Sequence, residues 1–203
     1  MASEPPSTST KSFSRASLRP DEPLAGRIVR IEPLDERHRE GLRAAADDDP
    51  GIFHFTVYPG DFDTWFDEAL AATGDIPFAV LVGGEELGSM RYLNIAPEHR
   101  RAEIGWSWLR RSAQGTGANS ETKFLLLERA FEVCGLQRVE FKTDARNERA
   151  RGGLESIGAQ FEGIFRKHMM LPTGPRDSAW YAITDDDWPE AKAALRQRIA
   201  RFS

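Results

Sequence analysis

The chain has 203 residues and a formal net charge of -5 at pH 7. This length suits one domain, because domains commonly run to about 100–200 residues, and the acidic balance argues against a general nucleic-acid binder, which usually displays a basic face. No apolar run approaches the roughly 18 residues of a membrane span. Cys134 is the only cysteine and the four histidines lie far apart, so neither a disulfide nor a metal site is expected. These features predict a cytoplasmic protein without a nucleic-acid, membrane or metal partner.

The first residues, "MASEPPSTSTKSFSRASLRPDEPL", are rich in Ser, Thr and Pro and poor in large apolar side chains. Such a segment buries too little surface to offset the entropy lost on ordering. We therefore predict a disordered N-terminal tail over residues 1–25 and a single folded domain over residues 26–203.

The N-terminal half of the predicted domain begins with a strand in "GRIVRIEPL", where Val29 and Ile31 alternate with Ile28 and Arg30. A short helix is predicted from about Asp35 to Ala46, and the acidic "DDDPG" ends it. A second helix in "DFDTWFDEALAATG" has an apolar stripe and Gly74 as a candidate cap. The stripe consists of Phe62, Trp65, Phe66 and Leu70.

The following segments, "PFAVLV", "EELGSMRYL" and "RRAEIGWSWL", predict three successive strands of an antiparallel meander, the first two joined at Gly83-Gly84. The order then changes to helix ("NSETKFLLLERAFEVCG"), strand ("QRVEFKTD"), helix ("ARNERARGGLESIG"), two strands around "LPTGPRD" and a final polar helix. A strand, helix and strand imply a parallel pair with a right-handed crossover. The predicted fold class is α+β, with helices flanking a mixed, mostly antiparallel sheet.

Two glycines, Gly115 and Gly117, precede a helix whose N-terminus offers unbonded N–H groups and a positive dipole end, so a phosphate could bind there. They could equally shape a plain loop, with Asn119 or Ser120 as the N-cap and Glu121 interacting with the helix dipole. Two named phosphate motifs are excluded. The P-loop needs Gly-Lys-Ser/Thr where Ala118 and Asn119 stand, and the dinucleotide fingerprint needs a third glycine at Ser120.

The stretch "AEIGWSWLRRSAQGTGANSETKFLLLERAF" resembles the GNAT superfamily of acyl-CoA-dependent N-acetyltransferases, in the branch that includes the ribosomal-protein N-terminal acetyltransferases. The family motif Gln/Arg-x-x-Gly-x-Gly/Ala is matched from Gln114 to Asn119, with Asn119 departing at the last position. The resemblance covers roughly residues 26 to 184. It implies a single GNAT-like domain with two splayed strands at an acetyl-CoA site.

The same resemblance assigns the residues expected to bind acetyl-CoA. The pantetheine arm would lie along the free edge of "EIGWSWL", much as an added strand would. Arg151, in the second helix after that strand, would contact the phosphates. Arg146 and Arg149 near the start of the same helix, and Arg110 and Arg111 before the glycine loop, are further candidates, and a solvated helix face is the alternative for each. The other cofactor-binding candidates are Ser107, Trp108 and Leu109 on the strand and Gln114, Gly115, Thr116, Gly117, Ala118 and Asn119 in the loop.

The expected chemistry needs a base for the amine and N–H groups for the oxyanion that develops on the thioester carbonyl. Glu103 matches the glutamate of the family's "AEIG" position, which is often assigned to activate the amine. Strand alternation would place Glu103, Gly105 and Ser107 on one face and Ile104, Trp106 and Trp108 on the other. The oxyanion would lie near Ser107 or Trp108. An ordinary ion pair of Glu103 with Arg100 or Arg101 is the alternative.

Asn147 matches the asparagine that begins the family's second helix and contacts the cofactor arm or a site water, and it is the second catalytic candidate. A plain N-cap is the alternative. Three residues later, relatives often carry a serine that protonates the departing thiolate, and Ala150 stands there in this chain.

The acceptor site is expected in "DPGIFHFTVYPGDFDTWF", which resembles the family's variable substrate segment. His54 and Tyr58 are the substrate-binding candidates, together with Phe55 and Trp65, although aromatic side chains at helical spacing are often core residues. The acidic residues Asp47 to Asp49 or Asp61 would attract a cationic group.

The resemblance therefore implies transfer of an acetyl group from acetyl-CoA to a primary amine, by direct attack in a ternary complex. The acceptor would be a protein N-terminus or an amine-bearing small molecule, and a homodimer is a further expected partnership. Two alternatives stay open: a catalytically silent acyl-CoA-binding sensor or regulator, and a protein that binds another nucleotide diphosphate.

Overall fold

The structure is a computed structural model that describes residues 13–56, 58 and 60–202. Within these residues eight strands form one sheet in the order β1-β2-β3-β4-β5-β6-β8-β7. All neighbouring strands are antiparallel except β5 and β6, which are parallel. The strands are β1 (Leu24–Ala25), β2 (Arg30–Pro33), β3 (Ile76–Val82), β4 (Glu85–Ala96), β5 (Arg101–Leu109), β6 (Arg138–Asp144), β7 (Gln160–Leu171) and β8 (Gly174–Thr184).

Helices cover both faces of this sheet, so the predicted α+β class, the meander and the single parallel crossover are confirmed. The helices are α1 (Arg15–Leu18), α2 (Arg39–Asp47), α3 (Phe62–Ala71), α4 (Ala118–Glu128), α5 (Glu148–Glu155) and α6 (Trp188–Ala200), and a π-helical turn over Arg129–Val133 extends α4.

Alternation along β3 divides the core into two clusters. Phe78 and Val80 pack with α4, α5 and α6 on one face. Ala79 and Leu81 pack with α2 and α3 on the other. Both clusters rest on the same sheet, which joins the elements into one packed unit.

Residues 13–25, which the sequence assigned to the tail, contain α1 and β1 and pack on the domain, while residues 1–12 lie outside the described part of the chain. Leu18 is fully buried in the larger core cluster. Arg129 binds this segment from the π-helical turn, its Nε donating to Leu18 O at 2.9 Å and its Nη2 to Ser17 O at 2.7 Å. Leu24 pairs with Ile31 in the sheet. One buried leucine and backbone carbonyl contacts order a segment that composition alone assigns to disorder.

Helix α3 departs from the expected stripe at its C-terminal end. Ala69 is 1% exposed, whereas Leu70 is 38% exposed. The helix ends at Ala71, and Ala72 rather than Gly74 is its C-cap. Trp65 is fully buried and packs against Trp108 with ring centroids 5.6 Å apart, so it is a core residue and not a substrate contact.

The expected alternation along β5 is wrong beyond Gly105. Gly105 pairs with Arg91, but the next pair is Trp108 with Ser89, so β5 contains one extra residue. Trp106 adopts a left-handed conformation with φ 49° at this bulge. A bulge of this kind reorients the side chains that follow it. Trp106 and Trp108 therefore pack in the α2–α3 cluster, opposite to Ile104.

Candidate active site

Strands β5 and β6 separate soon after they meet, which is the splay expected at this point of the sheet. They pair only from Arg101 to Glu103, opposite Arg138 to Glu140. Beyond Glu103 this edge of β5 has no strand partner among the described residues. A cavity of about 1030 Å³ lies along the split and extends to the glycine loop and to the segment before α3.

Most of the sequence-predicted site residues line this one cavity. They are His54, Glu103, Ser107, Trp108, Leu109, Gln114, Gly115, Gly117, Asn119 and Asn147. Four other candidates, Tyr58, Thr116, Ala118 and Arg151, do not line it.

Both loop glycines adopt conformations that other residues rarely take, with φ 80° at Gly115 and 88° at Gly117. A Cβ on Gly115 would meet nothing within 4 Å, whereas one on Gly117 would lie 2.7 Å from Phe202 and 2.9 Å from Ile28. No described residue accepts a hydrogen bond from the backbone N–H of Gly115, Thr116 or Gly117. These groups and the first turn of α4 can together hold an anion.

The remaining loop residues shape this turn. Gln114 Nε2 donates to Leu109 O at 2.8 Å, which fastens the loop to the end of β5. Thr116 Oγ1 donates to Ala113 O at 2.7 Å and accepts from Ala118 N at 3.4 Å. Ala118 is fully buried in the core. The side chains of Thr116 and Ala118 are thus directed away from any ligand in the loop.

Glu121 ties the first turn of α4 to the chain entering β2. The residue is 3% exposed. Its Oε1 accepts from Arg27 N at 2.9 Å, and its Oε2 accepts from Ile28 N at 2.6 Å and Val29 N at 2.7 Å. A Cβ on Gly26 would overlap this carboxylate. The sequence predicted only a dipole contact for Glu121, and the hydrogen bonds join two distant segments instead.

Basic side chains lie beside the glycine loop, and two of them, Lys123 and Arg198, were not identified from the sequence. Lys123 is 7% exposed, lines the cavity and donates to Asn119 Oδ1 at 2.7 Å. Burial lowers its pKa to about 8, and the positive charge of Arg198 acts in the same direction. Arg198 reaches the cavity from α6 and donates to Ser120 Oγ at 2.9 Å. Arg149, at the start of α5, also lines the cavity.

Glu103 lies at the point where β5 and β6 separate and is 1% exposed. Its Oε2 accepts from Asn94 Nδ2 at 2.7 Å and from Lys142 Nζ at 3.0 Å. The alternative pairing with Arg100 or Arg101 does not occur. A Cβ on Gly105 would lie 3.0 Å from Glu103 Oε1, so the glycine keeps space open beside that oxygen.

Asn147 begins α5 as the family pattern predicts, and its Oδ1 accepts from Ala150 N at 3.0 Å. It is therefore an N-cap that also lines the cavity. Arg151 is on another face of the helix, where its Nε donates to Tyr181 Oη at 3.1 Å and its guanidinium lies 5.5 Å from the Phe161 ring. The expected phosphate contact of Arg151 is not supported, because a helix directs neighbouring side chains in different directions.

The expected acceptor segment contributes only in part. His54 and Phe55 line the cavity. Tyr58 instead stacks on Phe53 with ring centroids 4.0 Å apart, and burial raises the pKa of its phenol. Its predicted substrate contact is therefore not supported.

The acidic residues of this segment are largely engaged elsewhere. Asp48 pairs with Arg110, Oδ2 to Nε, at 3.0 Å. Asp61 caps α3 by accepting from Thr64 N at 3.1 Å. Asp49 lines the cavity, and its Oδ1 accepts from Gly51 N at 3.1 Å. The predicted attraction for a cation is thus confined to one partly satisfied carboxylate.

Sequence reasoning missed two cations at the acceptor end, Lys142 and Arg176, which both line the cavity. Lys142 follows Glu140 by two residues on β6, and Glu140 pairs with Glu103. A parallel pairing of "AEI" with "VEF" would have placed Lys142 next to Glu103. Arg176 comes from β8, and its position depends on a hairpin whose register shifts between Phe165 and Met169.

Neither a membrane-spanning helix nor a metal-binding cluster is present among the described residues. No helix in this part of the chain is long and apolar enough to cross a membrane. No group of three or more His, Cys, Asp or Glu side chains in residues 13–56, 58 and 60–202 is arranged to hold a metal ion. Cys134 is 3% exposed, and burial raises the pKa of its thiol.

Comparisons with known proteins identify the fold. The family model described as an acetyltransferase (GNAT) domain matches residues 29–160. A GCN5-related N-acetyltransferase from Brucella melitensis is similar, with a TM-score of 0.82, 30% identity and coverage of 89% of this chain and 87% of that one. A probable acetyltransferase of the GNAT family from Chromobacterium violaceum has a TM-score of 0.81, 27% identity and coverage of 93% and 98%.

Among curated proteins, the chain is similar to the uncharacterized N-acetyltransferase YoaA of Bacillus subtilis, with 30% identity over 99 residues. The match covers 49% of this chain and spans about half the length of that relative, 55%. RimJ of Mycobacterium smegmatis, solved with CoA-disulfide, shares the fold at a TM-score of 0.75 and 22% identity, over 87% of this chain and 91% of that one.

The chain therefore belongs to the GNAT family of acetyltransferases, as the stretch around Gly115 and Gly117 predicted. This is a family of enzymes whose members take an acetyl group from acetyl-CoA and act on amine-bearing substrates. The resemblance to the ribosomal-protein acetyltransferases extends to the fold.

Proposed function

We propose that this chain transfers the acetyl group of acetyl-CoA to a primary amine by direct attack in a ternary complex. The observation that carries the proposal is the single cavity that runs from the glycine loop, past the free edge of β5 and Glu103, to the segment around His54. A donor and an acceptor could occupy its two ends at once, with the reacting atoms near Glu103.

The donor end has the chemistry of a diphosphate site. The free N–H groups from Gly115 to Gly117 and the start of α4 would hold the diphosphate oxygens. Lys123 and Arg198 would add positive charge. The free edge of β5, from Gly105 to Leu109, would bind the pantetheine amides as an added strand does.

In the proposed transfer step, the bonds formed and broken and the proton lost by the amine are all accounted for. The amine nitrogen forms a bond to the acetyl carbon, the carbon–sulfur bond breaks, and the sulfur leaves as the thiolate of CoA. Glu103, through Oε1 or a water, takes the proton lost by the amine. Ala150 supplies no acid, but a thiol pKa of about 8.5 makes the thiolate an acceptable leaving group near neutral pH.

The proposal is tested by incubating the protein with acetyl-CoA and a panel of primary amines, including short peptides with free N-termini. Thiol release and mass spectrometry should give one thiol for each N-acetylated product. Calorimetry with acetyl-CoA, CoA and NAD separates the alternatives. Tight CoA binding without transfer to any amine would support a silent sensor, and binding of NAD alone would support another nucleotide.

We further propose that the protein is cytoplasmic and that it forms a homodimer through β7. Strand β7 lies at the edge of the sheet and exposes Phe161, Ile164, Phe165 and Met170. An unpaired edge of this kind readily pairs with another strand, and two identical edges can pair about a two-fold axis. Light scattering tests this proposal: we expect a dimer for the wild type and a monomer for Ile164→Lys. A monomeric wild type would refute it.

A further inference from the structure

An unpaired arginine lies at the acceptor end of the cavity. Arg176 is 6% exposed and lines the cavity from β8. A guanidinium carries several N–H donors in a rigid fork, yet among the described residues it makes a single hydrogen bond, from Nη1 to Phe55 O at 3.0 Å. Its Nε is buried and has no partner. Most of its donor capacity is thus unused by the protein.

The carboxylates near Arg176 are already paired with other cations. Asp144 accepts a two-pronged contact from Arg146, with Oδ1 to Nε at 2.9 Å and Oδ2 to Nη2 at 2.8 Å. Glu103 is paired with Lys142. Arg176 forms no ion pair with any described residue. Burial is the main cause that lowers the pKa of Arg176, and the charges of Asp144 and Glu103 only partly oppose it.

A buried charge without a partner is costly to the fold, and buried charges are normally paired. A cation that instead faces a cavity is balanced when a ligand brings the opposite charge. Planar, forked donors of arginine match the oxygen atoms of carboxylate and phosphate groups. The opposite possibility, a purely cationic acceptor, would place a third positive charge beside Arg176 and Lys142.

We propose that the acceptor is an amine that also carries an oxyanion, a carboxylate or a phosphate, and that Arg176 binds this oxyanion while the amine faces Glu103. The inference rests on the proposed acetyl transfer and specifies the substrate class of the same site. Arg176 is a specificity-determining residue in this arrangement. The oxyanion takes no part in bond making or breaking, so the balance of the transfer step is unchanged.

The test compares matched pairs of acceptors that differ only in the oxyanion. One arm uses amino acids against their amides, and the other uses ethanolamine phosphate against ethanolamine. In the wild type we expect kcat/KM to favour the member that carries the oxyanion by about 10-fold or more in at least one arm. A site built to bind a group rejects an analogue that lacks it. The arm with the larger ratio identifies carboxylate or phosphate.

Three variants separate recognition from a structural role of Arg176 at Phe55. Arg176→Gln should raise KM for the member that carries the oxyanion and bring the ratio of the two kcat/KM values to about one. Arg176→Lys should keep part of the preference. Arg19→Gln, at an exposed arginine that lies outside β7 and does not line the cavity, is the matched control and should behave as the wild type. Equal losses on both members in Arg176→Gln, or no preference in the wild type, would overturn the inference.

Calorimetry of the same pairs, with the protein saturated with CoA, gives a readout that does not require turnover. The inference is supported if the member with the oxyanion binds more tightly and Arg176→Gln abolishes this difference in affinity. Equal affinities of the two members for the wild type overturn it. Absence of thiol release with every amine, despite this selective binding, would refute the acetyl transfer alone. The two failures are therefore distinguishable.

Discussion

Replacement of Glu103 by glutamine tests the proposed base with little change of shape. Glutamine keeps the size of the side chain and an acceptor oxygen for Asn94 Nδ2, which lies 2.7 Å from Glu103 Oε2. The variant loses the negative charge that pairs with Lys142 Nζ at 3.0 Å. A hydrogen bond to a charged group contributes about 1 kcal/mol more than a neutral one, so we expect a loss of about 1 kcal/mol in the free energy of unfolding.

The expected effect on catalysis is larger than the effect on stability. Positioned general bases contribute about 10²–10⁴-fold to rate. Since each tenfold corresponds to about 1.36 kcal/mol of activation free energy, Glu103→Gln should raise the barrier by about 2.7–5.4 kcal/mol. Affinity for CoA should stay nearly unchanged, because the glycine loop and the residues around Lys123 are intact.

The assay measures thiol release at saturating acetyl-CoA over a range of amine concentrations, with CoA affinity from calorimetry and stability from thermal unfolding. Glu140→Gln is a matched control: Glu140 is 8% exposed, lies opposite Glu103 on β6 and pairs with Arg101 and Arg138, but it does not line the cavity. It should lose stability without losing rate. Unchanged turnover of Glu103→Gln at saturating amine would refute the role of Glu103.

Four further predictions concern the surroundings of the reacting atoms. Gly105→Ala would bring a methyl group to 3.0 Å from both Glu103 Oε1 and Leu93 Cδ2. We expect kcat to fall and overpacking to cost about 1–3 kcal/mol of stability. An unchanged kcat would contradict a role for the open space beside Glu103. Gly115→Ala should weaken CoA binding with a modest shift in Tm, whereas Gly117→Val should lower Tm strongly, since its side chain would meet Phe202 and Ile28; equal Tm values would exclude the packing role of Gly117. At pH 8 the Lys123 ammonium, with its pKa lowered to about 8, is about half protonated, and a bound diphosphate would raise that pKa. CoA binding should then take up protons at pH 8 and none at pH 6, where Lys123 is already charged. Calorimetry in buffers of different ionisation enthalpy would measure this uptake, and Lys123→Met should abolish it. Glu121→Ala should cost about 3 kcal/mol in chemical denaturation, because buried hydrogen bonds to a charged group are lost, and a cost below about 1 kcal/mol would show that water replaces them.

Much of the fold could be predicted because the relevant signals are local. Alternating apolar residues, the Gly83-Gly84 turn and the order of strand, helix and strand were sufficient for the meander and the parallel pair. Glu103 was identified by the family's "AEIG" position, and its place in the sheet depends only on which residues form β5. The glycine loop was located by its place between that strand and the following helix.

The features that could not be predicted depend on irregular backbone or on contacts between distant segments. A single extra residue at Trp106 reverses the face of two tryptophans, and nothing in "EIGWSWL" marks where the bulge falls. The shifted register of β7 decides where Arg176 points. Leu18 is ordered by Arg129, more than a hundred positions later in the sequence, which a compositional reading of residues 1–25 does not detect.

The contact of Glu121 with the backbone of residues 27–29 has a consequence for how occupancy of the site can be observed. One carboxylate on the first turn of α4 holds three amides that lie outside the cavity. Stiffening that turn by a bound anion would slow hydrogen–deuterium exchange at Arg27, Ile28 and Val29, although the ligand touches none of them. These three amides are therefore natural reporters of cofactor binding, readable by mass spectrometry or NMR without labelling the site itself.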